Sequence, residues 1–414
     1  MEEEEVVIIG GGIAGLATAL ALKKIGVRSL VLERSDKLRA FGAALSLFPN
    51  AWLALDALGV SHKLTSCYFP FQREYNTNTK TGTVQEVLFN KTDEKSIGFR
   101  TVHRSALLEA LAEELPGDTI RFSSKLDSIE TVKRDGISFV LLRLEDGTTL
   151  RAKAVIGCDG VNSIIGRWLG LKAPISSGRS AVRGLAVYPQ GHGLKHEINQ
   201  YLDGSSRSGF IPLNDKELYW FISYKSTPDK DADMISNVPE MIQKSVLENM
   251  SDLPSNFLDI VRHSDLSTLS WAPLMFRAPW NVLLSRMYKD NVTVAGDAMH
   301  PTTPDLGQGG CASLEDAIVL ARHIGNCILK NGEIDSSAFE GYVKERRWRA
   351  AMLISASYLS GWVQQGGSGW LEFLRDKVFY KFFNILTSRV VNYDCGKLPA
   401  VFLSSEEITA KKFK

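Results

Sequence analysis

The sequence has no Cys-x-x-Cys pair, no long apolar run and no excess of charge of either sign. Its five cysteines, Cys67, Cys158, Cys311, Cys327 and Cys395, are odd in number and scattered. That excludes a disulfide framework or a zinc site and fits free thiols in a reducing compartment, so no metal site is expected. Lys and Arg number 48 against 47 Asp and Glu, which leaves no basic field to hold nucleic acid or an acidic membrane. No stretch approaches the roughly 18 apolar residues of a spanning helix. Met1 followed by four glutamates is the opposite of a signal or transit peptide. These absences lead to an expected cytoplasmic protein, monomeric or homodimeric, with no nucleic-acid partner and no transmembrane segment. What is present is ordinary globular material: 414 residues, 44% hydrophobic and 23% charged, enough for two or three domains.

The most informative stretch is Val6-Val7-Ile8-Ile9-Gly10-Gly11-Gly12-Ile13-Ala14-Gly15. Four apolar residues read as a buried parallel strand, and Leu16, Ala19, Leu20 and Leu22 continue at helical spacing. Gly10, Gly12 and Gly15 fall at the G-x-G-x-x-G spacing of a dinucleotide-binding βαβ unit. Gly10 makes the tight turn, Gly12 lets a pyrophosphate approach, and Gly15 lets the helix pack on the strand. The helix start at Ile13 and Ala14 offers unpaired N–H groups to the phosphates. A second strand, Ser29 to Leu32, ends on Glu33, at the spacing of a carboxylate that accepts both hydroxyls of an adenosine ribose. The motif alone leaves NAD and FAD open.

Arg34 and the small residues of Arg39-Ala40-Phe41-Gly42-Ala43-Ala44 follow. Ala43 and its neighbours would let a loop lie against a flat ligand, and Arg39 reads as either a pyrophosphate contact or a solvated loop arginine. A helix is predicted from Pro49 to Leu58, stopped by Gly59. Strands are expected between 65 and 100, then a helix from Arg104 to Leu115. Three strands follow at 125–131, 138–144 and 148–152, with Asp146-Gly147 as a hairpin turn. Ala154 to Cys158 reads as a further buried strand ending in Asp159-Gly160, with Asn162-Ser163 capping a short helix. From 178 to 288 strands alternate, with a helical stretch at 238–262. In Glu217 to Tyr224, Leu218, Trp220, Ile222 and Tyr224 share one face, and Tyr219 and Phe221 the other. That second face fits a substrate cavity and a second packed layer equally well. Helices are predicted at 309–329, 336–363 and 370–390. The last carries Phe373, Leu374, Phe379, Phe382, Phe383 and Leu386 on an amphipathic face that caps the fold or lies on a membrane.

A third motif runs from Gly296-Asp297 through His300 and Pro304 to Gly307-Gln308-Gly309-Gly310. A strand end presents Asp297, an acceptor suited to sugar hydroxyls such as those of a ribityl chain. A proline-stiffened loop then reaches a glycine-rich helix start, whose N–H groups favour the anionic edge of a reduced flavin by roughly 1–2 kcal/mol.

With these three motifs in order, the chain resembles the single-component, FAD-dependent aromatic hydroxylases with the fold of p-hydroxybenzoate hydroxylase. Within them it is most similar to plant salicylate-hydroxylase-like monooxygenases. Gly10-x-Gly12-x-x-Gly15 with Glu33 matches the ADP half. Cys158-Asp159-Gly160-Val161-Asn162-Ser163 matches the D-G motif, which the resemblance links to FAD and NAD(P)H. Gly296 to Pro304 with Gly307-Gln308-Gly309 matches the G-D-A-x-H-x-x-x-P motif. His103-Arg104 resembles the arginine that opens a helix beside the FAD, and Arg183 to Pro189 resembles the plant subgroup. Position 166, where the family pattern carries arginine, is Gly166, with Arg167 one step later.

The resemblance implies bound FAD and NAD(P)H as a transient co-substrate. It also implies O2 and one oxygen atom delivered to a small, aromatic substrate through a flavin C4a-hydroperoxide. The Pro304 and Gly307–Gly310 region would cradle the isoalloxazine ring. No universal catalytic side chain carries over. Arg183 reads as a carboxylate partner or a structural ion pair, and His300 as a loop-fixing residue or a general base. Tyr201, Tyr219 and Tyr224 read as phenol contacts or core. Other activities open to such a chain are a flavin-dependent epoxidase, a dehydrogenase of the same fold, and a catalytically silent flavin-binding protein. The expected architecture is α/β: a Rossmann-like FAD-binding domain (1–70, 100–175 and 289–335), an inserted mixed β-sheet substrate domain (71–99 and 176–288) and C-terminal helices (336–414).

Overall fold

The computed structural model describes residues 2–38, 43–89, 98–134, 137–227, 231, 234, 237–250, 253–365 and 390–400. Residues Val6 to Ile8 form the centre of an eight-stranded sheet and are fully buried, as expected of a strand with helices on both faces. The main path of the sheet runs Tyr288–Lys289, Val292–Val294, Thr149–Gly157, Glu2–Ile9, Ser29–Leu32, Ile120–Arg121. Its parallel members are the strands from Val292–Val294 onward. The helix Ile13–Lys24 packs between the helices Gly309–Asn331 and Arg104–Ala112. Pro49–Leu58 is a helix that ends, as read from the sequence, on a left-handed Gly59.

The two strands expected at 148–152 and 154–158 are one, Thr149–Gly157. One of its edges changes neighbour part-way. Thr149 to Ala152 pair antiparallel with Leu141, Leu142 and their neighbours, and Val155 to Gly157 pair parallel with Val292–Val294. The other edge pairs with Glu2–Ile9 over nearly its full length. The alternating pattern before Lys153 and the apolar run after it reflect those two environments, which is why they looked like separate strands.

A second, seven-stranded sheet has the order Ser270–Phe276, Ile175–Val187, Glu217–Lys225, Ser206–Pro212, Ile198–Leu202, Arg73–Asn78, Val84–Leu88. Its pairs are antiparallel except Ile198–Leu202 with Arg73–Asn78. The helices Pro239–Asn249 and Ser255–Arg262 cover one face through Ile242, Val246, Phe257 and Ile260, packed on Val182, Leu218, Trp220 and Ile222. The other face turns toward the first sheet's side of the molecule, where Leu185 and Tyr219 meet Ala43 and Ala44.

The helix Ser336–Gln364 packs along Gly309–Asn331. The helix expected at 370–390 lies outside the described residues apart from its last position. Among the described residues no helix is long and apolar enough to cross a membrane.

Candidate active site

Each glycine of the first motif has its own geometry. Gly10 has φ +106°, and a Cβ there would lie 2.5 Å from the Cys158 carbonyl oxygen. A Cβ on Gly15 would lie 1.9 Å from the Gly10 carbonyl oxygen, so the helix start rests directly on the turn. A Cβ on Gly12 would meet nothing within 4 Å. The first bond within the helix runs from Leu16 N–H to Gly12 C=O at 2.9 Å, so the N–H groups of Ile13, Ala14 and Gly15 are left for a ligand. Glu33 stands beside them. Its carboxylate accepts Gly11 N–H at 2.7 Å and Ser35 N–H at 2.9 Å, which fixes it at the end of its strand. Arg34 is exposed next to it. Arg39 lies outside the described residues.

The third motif lies against the first. A Cβ on Gly296, which has φ +60°, would sit 2.8 Å from Ala14 Cβ. Asp297 therefore emerges next to the first helix start. Its side chain is open to solvent, yet it lies on the floor of a crevice with protein mass around it. That enclosure raises its carboxyl above the ordinary range, while His300 and Arg104 pull it back. The turn Pro304–Leu306 ends on Gly307 at φ +64°, packed against Phe48. Gln308 then caps Gly309–Asn331, whose first bond is Ala312 N–H to Gln308 C=O at 2.8 Å. Gly309, Gly310 and Cys311 thus present their N–H groups beyond the helix end. A Cβ on Gly310 would reach 2.7 Å from Leu45 Cδ1.

Arg104 opens its helix, its N–H bonded to the carbonyl of Ala43, itself at φ +56°. Its Nε is buried without a partner. Burial lowers the guanidinium, and its charged neighbours are Asp297 and Arg183. Register places Arg183 opposite Phe221, and Tyr219 opposite Leu185, on the face without helices. Arg183 has no hydrogen bond or ion pair among the described residues. Tyr219 is the one of the three candidate tyrosines on this face. Burial raises its phenol, and Arg183 and Arg207 oppose that. Tyr224 and Tyr201 belong to the helix-covered layer. Tyr224 OH donates to Asp231 and accepts from Trp271 Nε1 at 3.0 Å, and Tyr201 OH accepts from Asn256. Neither is placed to meet a substrate.

Two of the candidate residues have their polar atoms engaged within the protein. His300 is 2% exposed and its Nε2 lies 2.6 Å from Asp316 Oδ2. Burial opposes the charged ring, but Asp316 outweighs it and raises the imidazole above its ordinary value. This geometry fits the loop-fixing reading of His300, whose Nε2 is engaged with Asp316. Asp159 spends its carboxylate on the short helix Ile164–Trp168. It accepts from Ser163 Oγ and from Ile164 N–H at 2.6 Å, and burial raises it. At position 166 a Cβ would lie 3.2 Å from the Ser163 side chain, a tight contact at the capping turn, and Arg167 is exposed.

Several residues of the site went unread in the sequence. Asp305 is held at its carboxylate by Arg179, 2.8 and 2.7 Å, and at its carbonyl by Arg207 at 3.2 Å. Arg207 Nε also donates to Gln200 Oε1, and Gln200 Nε2 to Glu74 at 2.7 Å. Two strands of the second sheet thus hold the turn that follows Pro304. Below the loop, Asp316 accepts Gly296 N–H and Arg346 Nε, while Glu315 pairs with Arg346 and Arg349. Asn50 bridges Glu315 to Gln308 Oε1 at 2.9 Å. The readable signal was Glu315-Asp316 inside the apolar run of their helix, since charges there require buried partners.

The crevice thus has a nucleotide end at Gly12 and Glu33, a middle at Asp297, and a glycine-rich end facing a sheet. The FAD binding domain family matches residues 3–357. The chain belongs to this family. It is an FAD-dependent monooxygenase, an oxidoreductase. The chain is similar to Monooxygenase 2 of Arabidopsis thaliana, 40% identical over 415 residues, covering 96% of this chain and 100% of that one. Monooxygenase 1 of the same plant is 36% identical and covers 96% and 100%. Among solved structures, Klebsiella pneumoniae HpxO complexed with FAD and uric acid superposes with a TM-score of 0.80. It is 22% identical, with 95% and 98% of the two chains covered, so it shares the fold. The residues present fit FAD. Gly12 leaves open space, two helix starts offer free N–H groups, and Asp297 and the orphaned Arg104 Nε lie where polar partners are required.

Proposed function

We propose that this monooxygenase uses NAD(P)H as reductant and inserts one atom of O2 into a small aromatic substrate carrying an acidic group. When bound, FAD supplies the redox chemistry and the activation of O2. The chain's residues bind, orient and exclude water. Gly10, Gly12, Gly15 and Glu33 hold the ADP half, Asp297 the ribityl hydroxyls, and Gly307, Gln308, Gly309 and Gly310 the ring, with Pro304 stiffening their approach. Asp159 serves the site only by shaping its turn.

The observation that carries the substrate class is the polar and aromatic face of the second sheet. Among the described residues Arg183 stands there without a partner, beside Phe221 and Tyr219, with Arg104 across the crevice. An unpaired guanidinium in a half-buried site is a place for a carboxylate or phenolate. Phe48, Phe71, Phe99, Ile198 and Ile211 form an apolar wall nearby, with Phe48 and Phe99 stacked at 4.5 Å. Relatives named FAD-dependent urate hydroxylase and 6-methylsalicylate 1-monooxygenase act on small rings, which supports the same class.

The test is the visible spectrum of the purified protein with the chromophore identified. NADPH and O2 consumption are then measured across a panel of aromatic acids and phenols, with product quantified. Coupled consumption by an acid, lost when its carboxylate is esterified, supports the reading. A protein that stays colourless with added FAD, or that oxidises NADPH with no product from any acid or phenol, refutes it.

A further inference from the structure

The helix Ser336–Gln364 has two unlike faces. Its inner face carries Arg346 and Arg349, whose charges fasten the crevice loop. On its outer face the solvent-facing positions are apolar. Trp348 is 70% exposed, Met352 40% and Leu359 54%, with Ser355 half-buried between them. Arg349 is the one charged residue from Trp348 to Gln365, and it is buried. A helix face that met only water would carry charge there. The short helix Pro279–Leu284 packs against this one, its Leu283 carbonyl accepting from Arg347, and adds Trp280 at 61% and Leu284 at 84%. Taking about 250 Å² for a tryptophan and somewhat less for leucine and methionine, these five side chains expose roughly 700 Å², more than the largest apolar patch of a typical monomer. Among the described residues none packs over them. Gln365, at the helix end, donates to Ser223, and Val390 lies against Leu353 on the inner face.

We infer that this face is the interface of a homodimer, in which two copies of the helix meet antiparallel across a two-fold axis. Trp348, Met352, Ser355 and Leu359 are spaced four, three and four, the seam spacing of paired helices. The set is symmetric about the midpoint between Leu353 and Ile354. Reversing a second copy therefore brings the partner's Leu359 level with Trp348 and the partner's Ser355 level with Met352. Each layer sets a larger side chain against a smaller one, and every residue is used twice, as a two-fold contact requires. Two copies together cover about 1,400 Å², within the roughly 1,200–2,000 Å² of a stable interface. A lipid surface is the poorer fit. Interfacial helices set lysine and arginine beside their tryptophans, and the stretch from Trp348 to Gln365 exposes neither.

The measurement is sedimentation velocity of the full-length, FAD-loaded protein across a wide concentration range. The expected mass is twice the 45.8 kDa of one chain. Trp348→Lys and Leu359→Glu, each alone, are expected to weaken the dimer roughly tenfold or more. The antiparallel register sets these two positions against each other. The double variant, Trp348→Lys with Leu359→Glu, therefore places opposite charges level and is expected to regain dimer over either single variant. Both side chains point to water in the single chain, so circular dichroism and FAD content stay as in wild type. If either variant does not fold, Leu284→Glu on the flanking helix takes its place and is expected to weaken the dimer in the same way. A dimer untouched by these substitutions, or a double variant weaker than both singles, overturns the proposal. So does wild-type protein that stays monomeric at every concentration. In that case binding to anionic vesicles assigns the face to a lipid surface, and a monomer that leaves them alone assigns it to the chain's own residues 366–389.

Discussion

Gly12 and Gly15 are three residues apart in one motif, yet replacing them has different consequences. Gly12 has an extended backbone, φ −82° and ψ −172°, which β-branched residues also adopt, and open space in front of it. Gly12→Val therefore leaves the cofactor-free protein within about 1 kcal/mol of wild type. Its methyl groups occupy the space toward which the N–H groups of Ile13 to Gly15 point. Losing two charge-assisted hydrogen bonds, about 1.5–3 kcal/mol each, lowers FAD affinity by roughly 10²- to 10⁴-fold. Gly15→Ala places a methyl 1.9 Å from a backbone oxygen, so the helix start must retreat. Backbone-against-backbone overpacking costs about 3 kcal/mol, seen as a Tm several degrees lower even without cofactor. Thermal melts of stripped protein and FAD titration by flavin fluorescence separate the two effects. A Gly12→Val protein that binds FAD as wild type does, or that melts as low as Gly15→Ala without it, refutes the assignment of that space to the pyrophosphate.

Asp297→Ala is expected to weaken FAD by about 1–3 kcal/mol in the same titration, and unchanged affinity removes Asp297 from the site. Arg183→Ala has no partner to lose among the described residues, so its Tm is expected to stay near wild type. KM for an acidic substrate rises roughly tenfold or more, and an unchanged KM argues that the acid binds elsewhere. Arg179→Ala leaves Asp305 buried, 6% exposed, without its ion pair and destabilises by about 3–5 kcal/mol in urea unfolding. Equal stability would show that Arg207 alone holds the turn. The His300–Asp316 pair sets a pH window. Asp316 is held below its ordinary 3.8, so its contribution is present above that pH and is lost as pH falls through the native value. His300 is raised above 6.5, so its contribution is complete below 6.5 and is lost as pH rises through the native value. The Tm difference between wild type and His300→Gln should shrink at alkaline pH; a difference independent of pH from 6 to 10 refutes the charged pair.

The residues legible in the sequence were those whose role is set by near neighbours. Gly10, Gly12 and Gly15 act within one strand-turn-helix, Gly59 ends its own helix, and Gly307 ends its own turn. The two faces of Glu217–Lys225 followed from alternation, although alternation could not say which face is covered by helices. What could not be read depends on partners far along the chain. Arg179 and Asp305 are 126 positions apart, and Asn50 and Glu315 are 265 apart. Periodicity carries no trace of such pairings. The bonding partners of His300 and Asp159 could not be read for the same reason. Their residue types and positions suited chemistry, but a buried carboxylate in one case and a helix start in the other had already claimed their polar atoms.

The crevice loop between residues 296 and 310 is fastened from every side by side chains at 50, 179, 207, 346 and, through Glu315, 349. The residues of the nucleotide turn lie within the first tenth of the chain, but the partners that fasten the ring-side loop reach as far along it as Arg346 and Arg349 in the helix Ser336–Gln364. A chain stopped short of Arg346 would retain the glycine fingerprint and yet have no rigid place for the flavin.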